Sequence, residues 1–231
     1  MIMRELQITS VVDETPSIRR IAMAADDGGA LPGYAAGAHV TIAIPDVGVR
    51  KYSLINVSSE AGATATPRTY TLGIRLDPHS AGGSRFMHSL KSGDRLQVSE
   101  PANDFPLKPR ASAPVLIGGG IGITPLITMA AELAASERPF KLLYAARSRT
   151  ELAFLDDVVR LAGPACEVHL DDAAGRVLDL EARFTALPTG TPVYMCGPKP
   201  MLKAGVQASR KLGWPPGQLM FELFYLSLIH I

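Results

Sequence analysis

A change of pattern near the middle of the 231-residue chain constrains its fold more than any other feature. Before residue 106, short apolar or alternating segments rich in β-branched residues are separated by turn residues, which is typical of strands. The segments are residues 4–12, 17–24, 39–44, 51–57, 68–77 and 94–100, and residues 84–91 form the one helical pattern among them. Six short strands and one helix predict a six-stranded antiparallel barrel, since closure removes exposed strand edges.

The second half of the sequence alternates between short buried strands and helical segments. Strands are predicted at residues 115–117, 141–146, 167–170 and 193–195, and helices at residues 126–135, 151–161, 179–187 and 199–212. This alternation predicts a doubly wound parallel sheet. A charged, proline-bearing stretch at residues 106–114 separates the two patterns, so we expect domains at residues 1–106 and 107–226, followed by a tail at residues 227–231.

Composition excludes several classes of protein. Apolar residues make up 47% of the chain, charged residues 19%, and the net charge is +1. That balance is ordinary for a globular protein and does not indicate a nucleic-acid or acidic-membrane partner. The first 14 residues lack the apolar core of a secretion signal, and no segment approaches the ~20 apolar residues of a membrane span, so a cytoplasmic protein is expected.

The cysteines predict neither a disulfide framework nor a metal site. The chain has two, Cys166 and Cys196, without CxxC spacing or a surrounding histidine pattern. Cys196 nevertheless begins the sequence Cys196-Gly197-Pro198, which follows a predicted strand. Open α/β sheets bind ligands at the carboxyl ends of their strands, so this segment is a candidate site, although inert packing is the ordinary role of a lone cysteine.

A glycine-rich run, residues 118–122, follows one predicted strand and opens a predicted helix. Glycines such as Gly119, Gly120 and Gly122 let the backbone turn tightly and approach a pyrophosphate, which the helix amino terminus attracts. Thr124 is expected to be the N-cap, with Pro125 at the first helical position. Taken alone, the run also fits a tight turn without a ligand.

The position after the second strand of this half departs from the ordinary dinucleotide-binding pattern. An acidic residue would hold the ribose hydroxyls there, but the sequence has Arg147. The departure argues against a common dehydrogenase.

Two segments of the barrel half also carry candidate binding residues. Arg50 and Tyr52 point to one face of their strand and Ser53 to the other, which suits contacts to a phosphate, an aromatic ring and a ring nitrogen, although an ordinary strand has the same pattern. Gly82-Gly83-Ser84 precedes the short helix as a second phosphate-binding arrangement, or as a solvent loop that caps the helix.

These motifs, in this order, resemble the ferredoxin-NADP reductase superfamily. Gly82 to His88 and the closing Phe221-Glu222-Leu223-Phe224 look like its phthalate dioxygenase reductase and vanillate demethylase reductase branch, and the resemblance spans residues 4–224. It implies a flavin on the barrel and a nicotinamide nucleotide on the second domain, with Ser53 and Cys196 as the catalytic residues beside the reacting rings. The cofactor-binding residues implied are Arg50, Tyr52, Ser53, Leu72, Gly73, Ile74, Arg75, Gly82, Gly83, Ser84, Gly119, Gly120, Gly122, Thr124, Arg147, Cys196, Gly197, Pro198, Glu222 and Phe224.

The resemblance implies an NADH-dependent reductase that passes electrons through the flavin to an iron-sulfur centre feeding an oxygenase or demethylase. FMN is expected rather than FAD, and NADH rather than NADPH, although Arg147 and Arg149 would suit a 2′-phosphate. The branch normally continues into a [2Fe–2S] domain with four cysteines, so the cluster is expected on a partner or on a missing C-terminal domain. Residues 226–231 suit either a truncated end or a short buried strand.

Two other functions remain open at this stage. One is a flavin or haem-protein reductase of the same superfamily. The other is a non-catalytic nucleotide-binding subunit that has lost hydride transfer.

Overall fold

A computed structural model describes residues 2–108 and 113–224. Its first half is an antiparallel sheet with one short helix. The elements are β1 (Met3–Thr15), β2 (Ile18–Ala24), β3 (His39–Ile44), β4 (Gly48–Ser53), β5 (Tyr70–Arg75), α1 (Gly83–Ser89) and β6 (Arg95–Ser99).

The six strands form one sheet in the order β4-β3-β6-β1-β2-β5. The sheet curls so that its two edge strands meet near residues 55 and 71, where the Ile55 amide donates to the Thr71 carbonyl at 2.9 Å. Alternate residues of the strands, such as Leu72 and Ile74 on β5, fill the interior. The expected antiparallel barrel is confirmed, with a seam between β4 and β5 that backbone hydrogen bonds only partly close.

The second half contains a parallel sheet and helices. Its elements are β7 (Val115–Gly119), α2 (Ile123–Ala135), β8 (Lys141–Ala146), α3 (Leu155–Ala162), β9 (Cys166–Leu170), α4 (Asp171–Ala174), α5 (Leu180–Thr185), β10 (Val193–Cys196), α6 (Lys199–Lys211) and β11 (Leu219–Glu222).

All strands of this half run parallel, in the order β11-β10-β7-β8-β9. From β7 the chain adds β8 and then β9 on one side of the sheet. It then crosses to the other side of β7 and adds β10 and β11. This reversal creates a topological switch point between β7 and β10, and it confirms the doubly wound sheet. Open sheets of this kind bind ligands at such a point.

Helix α2 lies between the parallel sheet and the barrel. Its side chains, among them Leu126 and Met129, share one apolar cluster with Leu116 of β7 and with Ile18 and Ile55 of the barrel half. Helices α5 and α6 cover the opposite face of the sheet around Phe184 and Leu202. The two halves are therefore joined through a continuous apolar core.

Several predicted boundaries were wrong, and local contacts explain them. Thr124 is not an N-cap: α2 begins at Ile123, directly after a 3-10 turn at Gly120–Gly122, and the Thr124 hydroxyl donates to the Ile121 carbonyl at 3.0 Å. Helix α3 begins only at Leu155, because Phe154 has a positive φ of 58°. The short helix α4 and the edge strand β11 were not predicted as separate elements.

The fourth strand also ends earlier than expected, after Ser53, because its continuation bonds to α2. The Thr128 hydroxyl donates to the Leu54 carbonyl at 2.7 Å and accepts from the Asn56 amide at 2.9 Å. Thr128 thus ties α2 to the barrel segment directly after Ser53.

The expected domain boundary falls between β6 and β7, in a stretch of which residues 109–112 lie outside the described residues, and the expected tail at residues 227–231 lies outside them as well. Both expectations stay predictions. Across residues 2–108 and 113–224, no helix has the length and apolar character needed to cross a bilayer.

We predict that Thr128→Val lowers the free energy of unfolding by about 1–3 kcal/mol, because the isosteric side chain leaves a buried carbonyl and a nearby amide without their partner. Urea denaturation measures the change. Thr185→Val is the matched control, since the exposed Thr185 hydroxyl donates to a carbonyl within its own helix. Equal losses in the two variants would contradict a special role for Thr128.

Candidate active site

Two loops meet at the switch point, and glycines permit their close approach. A Cβ on Gly122 would lie 2.3 Å from the Cys196 carbonyl oxygen, and a Cβ on Gly197 would lie 3.1 Å from Gly119 Cα. A Cβ on Gly119 would meet Pro198 Cδ at 2.8 Å. The structure thus brings the glycine-rich run and the Cys196-Gly197-Pro198 segment into one site.

Gly120 has a different role from its neighbours. Its φ is 52°, in the left-handed region, and a Cβ there would meet no atom within 4 Å. Backbone conformation, rather than crowding, therefore requires glycine at this position, and the space beside it is open to a ligand.

Strand β5 of the barrel faces this site directly. A Cβ on Gly73 would lie 2.8 Å from Thr124 Cγ2 and 2.9 Å from the Phe154 ring, so glycine is needed where the two halves touch. Leu72 and Ile74 point into the barrel core and are buried. Their expected contact with a ligand is therefore limited to the backbone, while Arg75 is exposed.

Ser53 and His39 lie opposite each other across the β3–β4 pair and are both buried. Ser53 Oγ and His39 Nδ1 have no hydrogen-bond partner. His39 Nε2 is 3.9 Å from Asp104 Oδ2. Burial lowers the pKa of His39, the Lys51 ammonium lowers it further, and Asp104 opposes both, so the imidazole is neutral at neutral pH.

Cys196 and Glu222 are register partners on β10 and β11. Burial raises the pKa of Glu222 to about 7, Asp104 adds to the rise, and Lys51 opposes it. Burial, followed by the Glu222 charge, raises the pKa of the Cys196 thiol well above its usual range. Cys196 is therefore a neutral thiol rather than a nucleophilic thiolate.

Three buried side-chain atoms lack a partner within residues 2–108 and 113–224: His39 Nδ1, Ser53 Oγ and Glu222 Oε2. His39 and Ser53 are adjacent, and both His39 and Glu222 respond to the charges of Lys51 and Asp104. Buried polar groups are normally paired. Their concentration at one place fits a ligand that presents hydrogen-bonding atoms between the barrel and the parallel sheet.

Arg50 and the glycine loop before α1 form the second candidate subsite. Arg50 Cγ and Nε lie 3.5 and 3.6 Å from the position of a Cβ on Gly83, and Gly82 has a φ of 110°. Burial raises the pKa of the neighbouring Tyr52 to about 12, against the opposing charge of Arg50. The structure therefore places the two predicted phosphate-binding segments side by side.

The Ser84 hydroxyl is used within this loop. Ser84 Oγ accepts from the Asp77 amide at 3.0 Å, and the amides of Gly82 and Ser84 donate to Ser80 Oγ at 3.2 and 3.3 Å. A phosphate bound here would replace the Ser80 hydroxyl as the acceptor of hydrogen bonds from these two amides. Ser80 was missed because serine in a turn gives no distinctive signal.

Two predicted residues lie at the periphery. Arg147 is exposed directly after β8, with its carbonyl accepting from the Asp172 amide at 3.0 Å. Phe224 is 36% exposed, two residues beyond β11.

Comparisons with known proteins identify the family. Residues 116–207 match the model of the oxidoreductase NAD-binding domain. The chain is 36% identical over 222 residues to vanillate O-demethylase oxidoreductase of Pseudomonas putida, covering 94% of this chain and 67% of that protein. The chain belongs to the family of oxygenase and demethylase reductases. It is an NAD(P)H-dependent oxidoreductase, and the expected resemblance is confirmed.

Solved structures agree with this assignment. Phthalate dioxygenase reductase, described as a modular structure for electron transfer from pyridine nucleotides to [2Fe–2S], superposes with a TM-score of 0.84 at 31% identity, covering 96% of this chain and 68% of that chain. The flavohem-like FAD/NAD-binding domain of nitric oxide dioxygenase from Vibrio cholerae gives a TM-score of 0.80 at 26% identity, covering 96% of this chain and 98% of that chain. These matches support a flavin and a nicotinamide cofactor. The chain spans 61–70% of the length of the first curated relatives that it matches.

We predict that Glu222→Gln removes a pH-dependent part of the stability of the cofactor-free protein. The folded-state pKa of about 7 lies above the ordinary 4.5, so protonated Glu222 stabilises the folded protein fully below about pH 4.5. This contribution to the free energy of unfolding is lost as pH rises through about 7. Thermal unfolding between pH 5 and 8 should show a smaller decline in melting temperature for the variant than for the wild type. Parallel curves would contradict the raised pKa.

Proposed function

We propose that this chain is the reductase component that passes electrons from NADH, through bound FMN, to an iron-sulfur centre that feeds an oxygenase or demethylase. The observation that carries the proposal is the convergence of unpartnered Ser53, His39 and Glu222 atoms beside the glycine-rich switch point. Buried polar atoms are normally paired, so these three fit a bound cofactor that supplies their hydrogen bonds between the barrel and the nucleotide-binding loop.

The residues present fit a flavin along the barrel seam. Ser53 Oγ would accept or donate a hydrogen bond at the ring, and the backbone of β5 would line the other side of the seam. Arg50 and the amides of Gly82, Gly83 and Ser84 would hold the phosphate. When bound, the flavin supplies the conversion between a two-electron donor and a one-electron acceptor.

FMN is favoured over FAD by the barrel itself. The phosphate-binding loop passes straight into α1, a helix of seven residues at Gly83–Ser89, and then into β6. This short connection, together with the resemblance to the FMN-type branch, is the basis for proposing FMN.

The nucleotide would lie on the opposite side of the cleft. Gly120, which has open space beside it, would let its pyrophosphate approach the start of α2, while Gly119 and Gly122 let the two loops meet. Thr124 faces the barrel strand β5. The Cys196 thiol is neutral, and a pKa of about 7 leaves the Glu222 carboxyl partly protonated near neutral pH, so the negative charge at the ring-binding end is reduced. Orientation and exclusion of water are therefore the contribution of these side chains.

NADH is proposed as the donor, although exposed arginines follow β8. Arg147 and Arg149 are both solvated, and the side chains of neither are held by a hydrogen bond in the described residues. We interpret them as surface charges of the loop rather than as a preformed 2′-phosphate site.

The acceptor is proposed to be an iron-sulfur centre outside these 231 residues. A plant-type [2Fe–2S] cluster uses four cysteines, and the chain has two. The phthalate dioxygenase reductase match, whose description includes [2Fe–2S], supports this acceptor class.

The proposal is tested by the absorption spectrum of the purified protein, before and after anaerobic NADH, with mass spectrometry of the released cofactor. We expect a flavin spectrum that NADH bleaches, a released mass matching FMN, and a higher kcat/KM with NADH than with NADPH. A flavin that neither nucleotide bleaches would instead support a non-catalytic subunit. FAD alone, or a preference for NADPH, would overturn the corresponding part of the proposal.

We predict that Arg50→Ala weakens FMN affinity about ten- to a hundredfold, because a charge-assisted contact to phosphate contributes about 1.5–3 kcal/mol. Fluorescence titration of the apoprotein measures the dissociation constant. Arg68→Ala is the control, since exposed Arg68 donates to the Gly28 carbonyl elsewhere on the barrel. Equal affinities in the two variants would remove Arg50 from the phosphate site.

A further inference from the structure

Charged side chains join the two halves at a second place, away from the glycine-rich run. Arg20 on β2 donates from Nε to Glu14 Oε1 at 2.6 Å and from Nη2 to Asp157 Oδ2 at 2.5 Å. Glu14 and Arg20 belong to the barrel, whereas Asp157 lies on α3. None of the three side chains is more than 25% exposed, so solvent screens these pairs less than surface ion pairs.

The same two barrel residues hold Phe154, the residue before α3. The Phe154 amide donates to Glu14 Oε2 at 3.0 Å, and the Arg20 guanidinium lies 4.7 Å from the centre of the Phe154 ring. Phe154 has a φ of 58°, which bulky residues rarely adopt. Such a conformation persists only where the surroundings enforce it, and it concentrates at functional sites.

A second contact across the halves supports the Asp157 side of this network. Arg160 donates to Asp157 Oδ1 at 2.6 Å and to the Val57 carbonyl of the barrel half at 3.0 Å. Asp157 is therefore held by one arginine from each half, and α3 is fixed to the barrel at both β2 and the segment after β4.

Phe154 connects this network to the reaction cleft. Its ring lies 2.9 Å from the position of a Cβ on Gly73, and Thr124 Cγ2 lies 2.8 Å from the same position. Arg20 and Gly73 are register partners on β2 and β5. Movement of Phe154 would therefore change the spacing between the barrel strand that faces the cleft and the start of α2.

We propose that Arg20 is a positioning residue that sets the alignment of the nicotinamide-binding half against the flavin-binding half, acting through Phe154 and Asp157. The inference rests on the proposed function, because it assigns each cofactor to one half. The network lies outside both predicted phosphate subsites, so its loss should affect alignment more than affinity. A displacement of about 1 Å in reacting groups can slow a reaction by about a hundredfold.

The test compares Arg20→Met with Arg95→Met. Methionine keeps much of the side-chain volume and removes the charge. Arg95 also donates to two carboxylates, those of Glu5 and Asp26, but both belong to the barrel half. We expect Arg20→Met to slow flavin reduction at saturating NADH at least tenfold in anaerobic stopped flow, with NADH and FMN dissociation constants within twofold of wild type, and Arg95→Met to react at the wild-type rate.

Asp157→Asn provides the second variant and decides the matter if Arg20→Met does not fold. It should slow the same step, and the loss in the double variant should be clearly smaller than the product of the two single losses, because both changes break the shared Arg20–Asp157 contact. Additive losses would overturn the proposed route through the Arg20–Asp157 pair.

Amide hydrogen exchange supplies a readout that does not depend on activity. The Phe154 amide should exchange at least tenfold faster in Arg20→Met and Asp157→Asn, while amides of β3 exchange as in the wild type. Wild-type reduction rates in flavin-loaded Arg20→Met, or a defect confined to cofactor affinity or melting temperature, would overturn the positioning role. If the wild type itself shows no NADH-dependent reduction, the proposed function fails, and unchanged Phe154 exchange separately refutes the Arg20 network.

Discussion

The burial of α2 between two β-sheets determines the arrangement of the rest of the structure. On one side the helix packs on the parallel sheet, and on the other it contacts Ile18 and Ile55 of the barrel half. Its Thr128 hydroxyl pairs with backbone atoms directly after Ser53, and its first turn follows the glycine-rich run. One helix therefore fixes Ser53 and the barrel segment after it relative to the glycine-rich run.

Much of the fold follows from the sequence, because short-range patterns determine it. Alternation predicts the antiparallel barrel, and strand–helix alternation predicts the parallel sheet with its glycine-rich turn. The boundaries that differ are those that contacts between the halves decide. The fourth strand ends at Ser53 since Thr128 takes the next backbone groups, and α3 starts late since Phe154 is held by Glu14.

Some residues of the candidate site could likewise be predicted from local sequence patterns, and others could not. The motifs predicted Ser53, Cys196 and the glycines because their residue types carry a local signal. His39 and Asp104 carried none: an isolated histidine in an apolar strand and an acidic residue near a proline are common. Only the fold shows that His39 lies opposite Ser53 and that Asp104 lies close to both His39 and Lys51. Arg20 and Phe154 were missed because more than a hundred residues separate them, so no local pattern connects the two.

The shared core also has a consequence for biosynthesis. Ile18, Ala36 and Ile55 are made early, but the apolar cluster that they join includes side chains of α2, which ends at Ala135. A ribosome must therefore complete more than half of the chain before these residues are covered. Until then the nascent barrel exposes part of this apolar surface, which favours aggregation and chaperone binding. Docking of α2 thus ends the most vulnerable stage of synthesis.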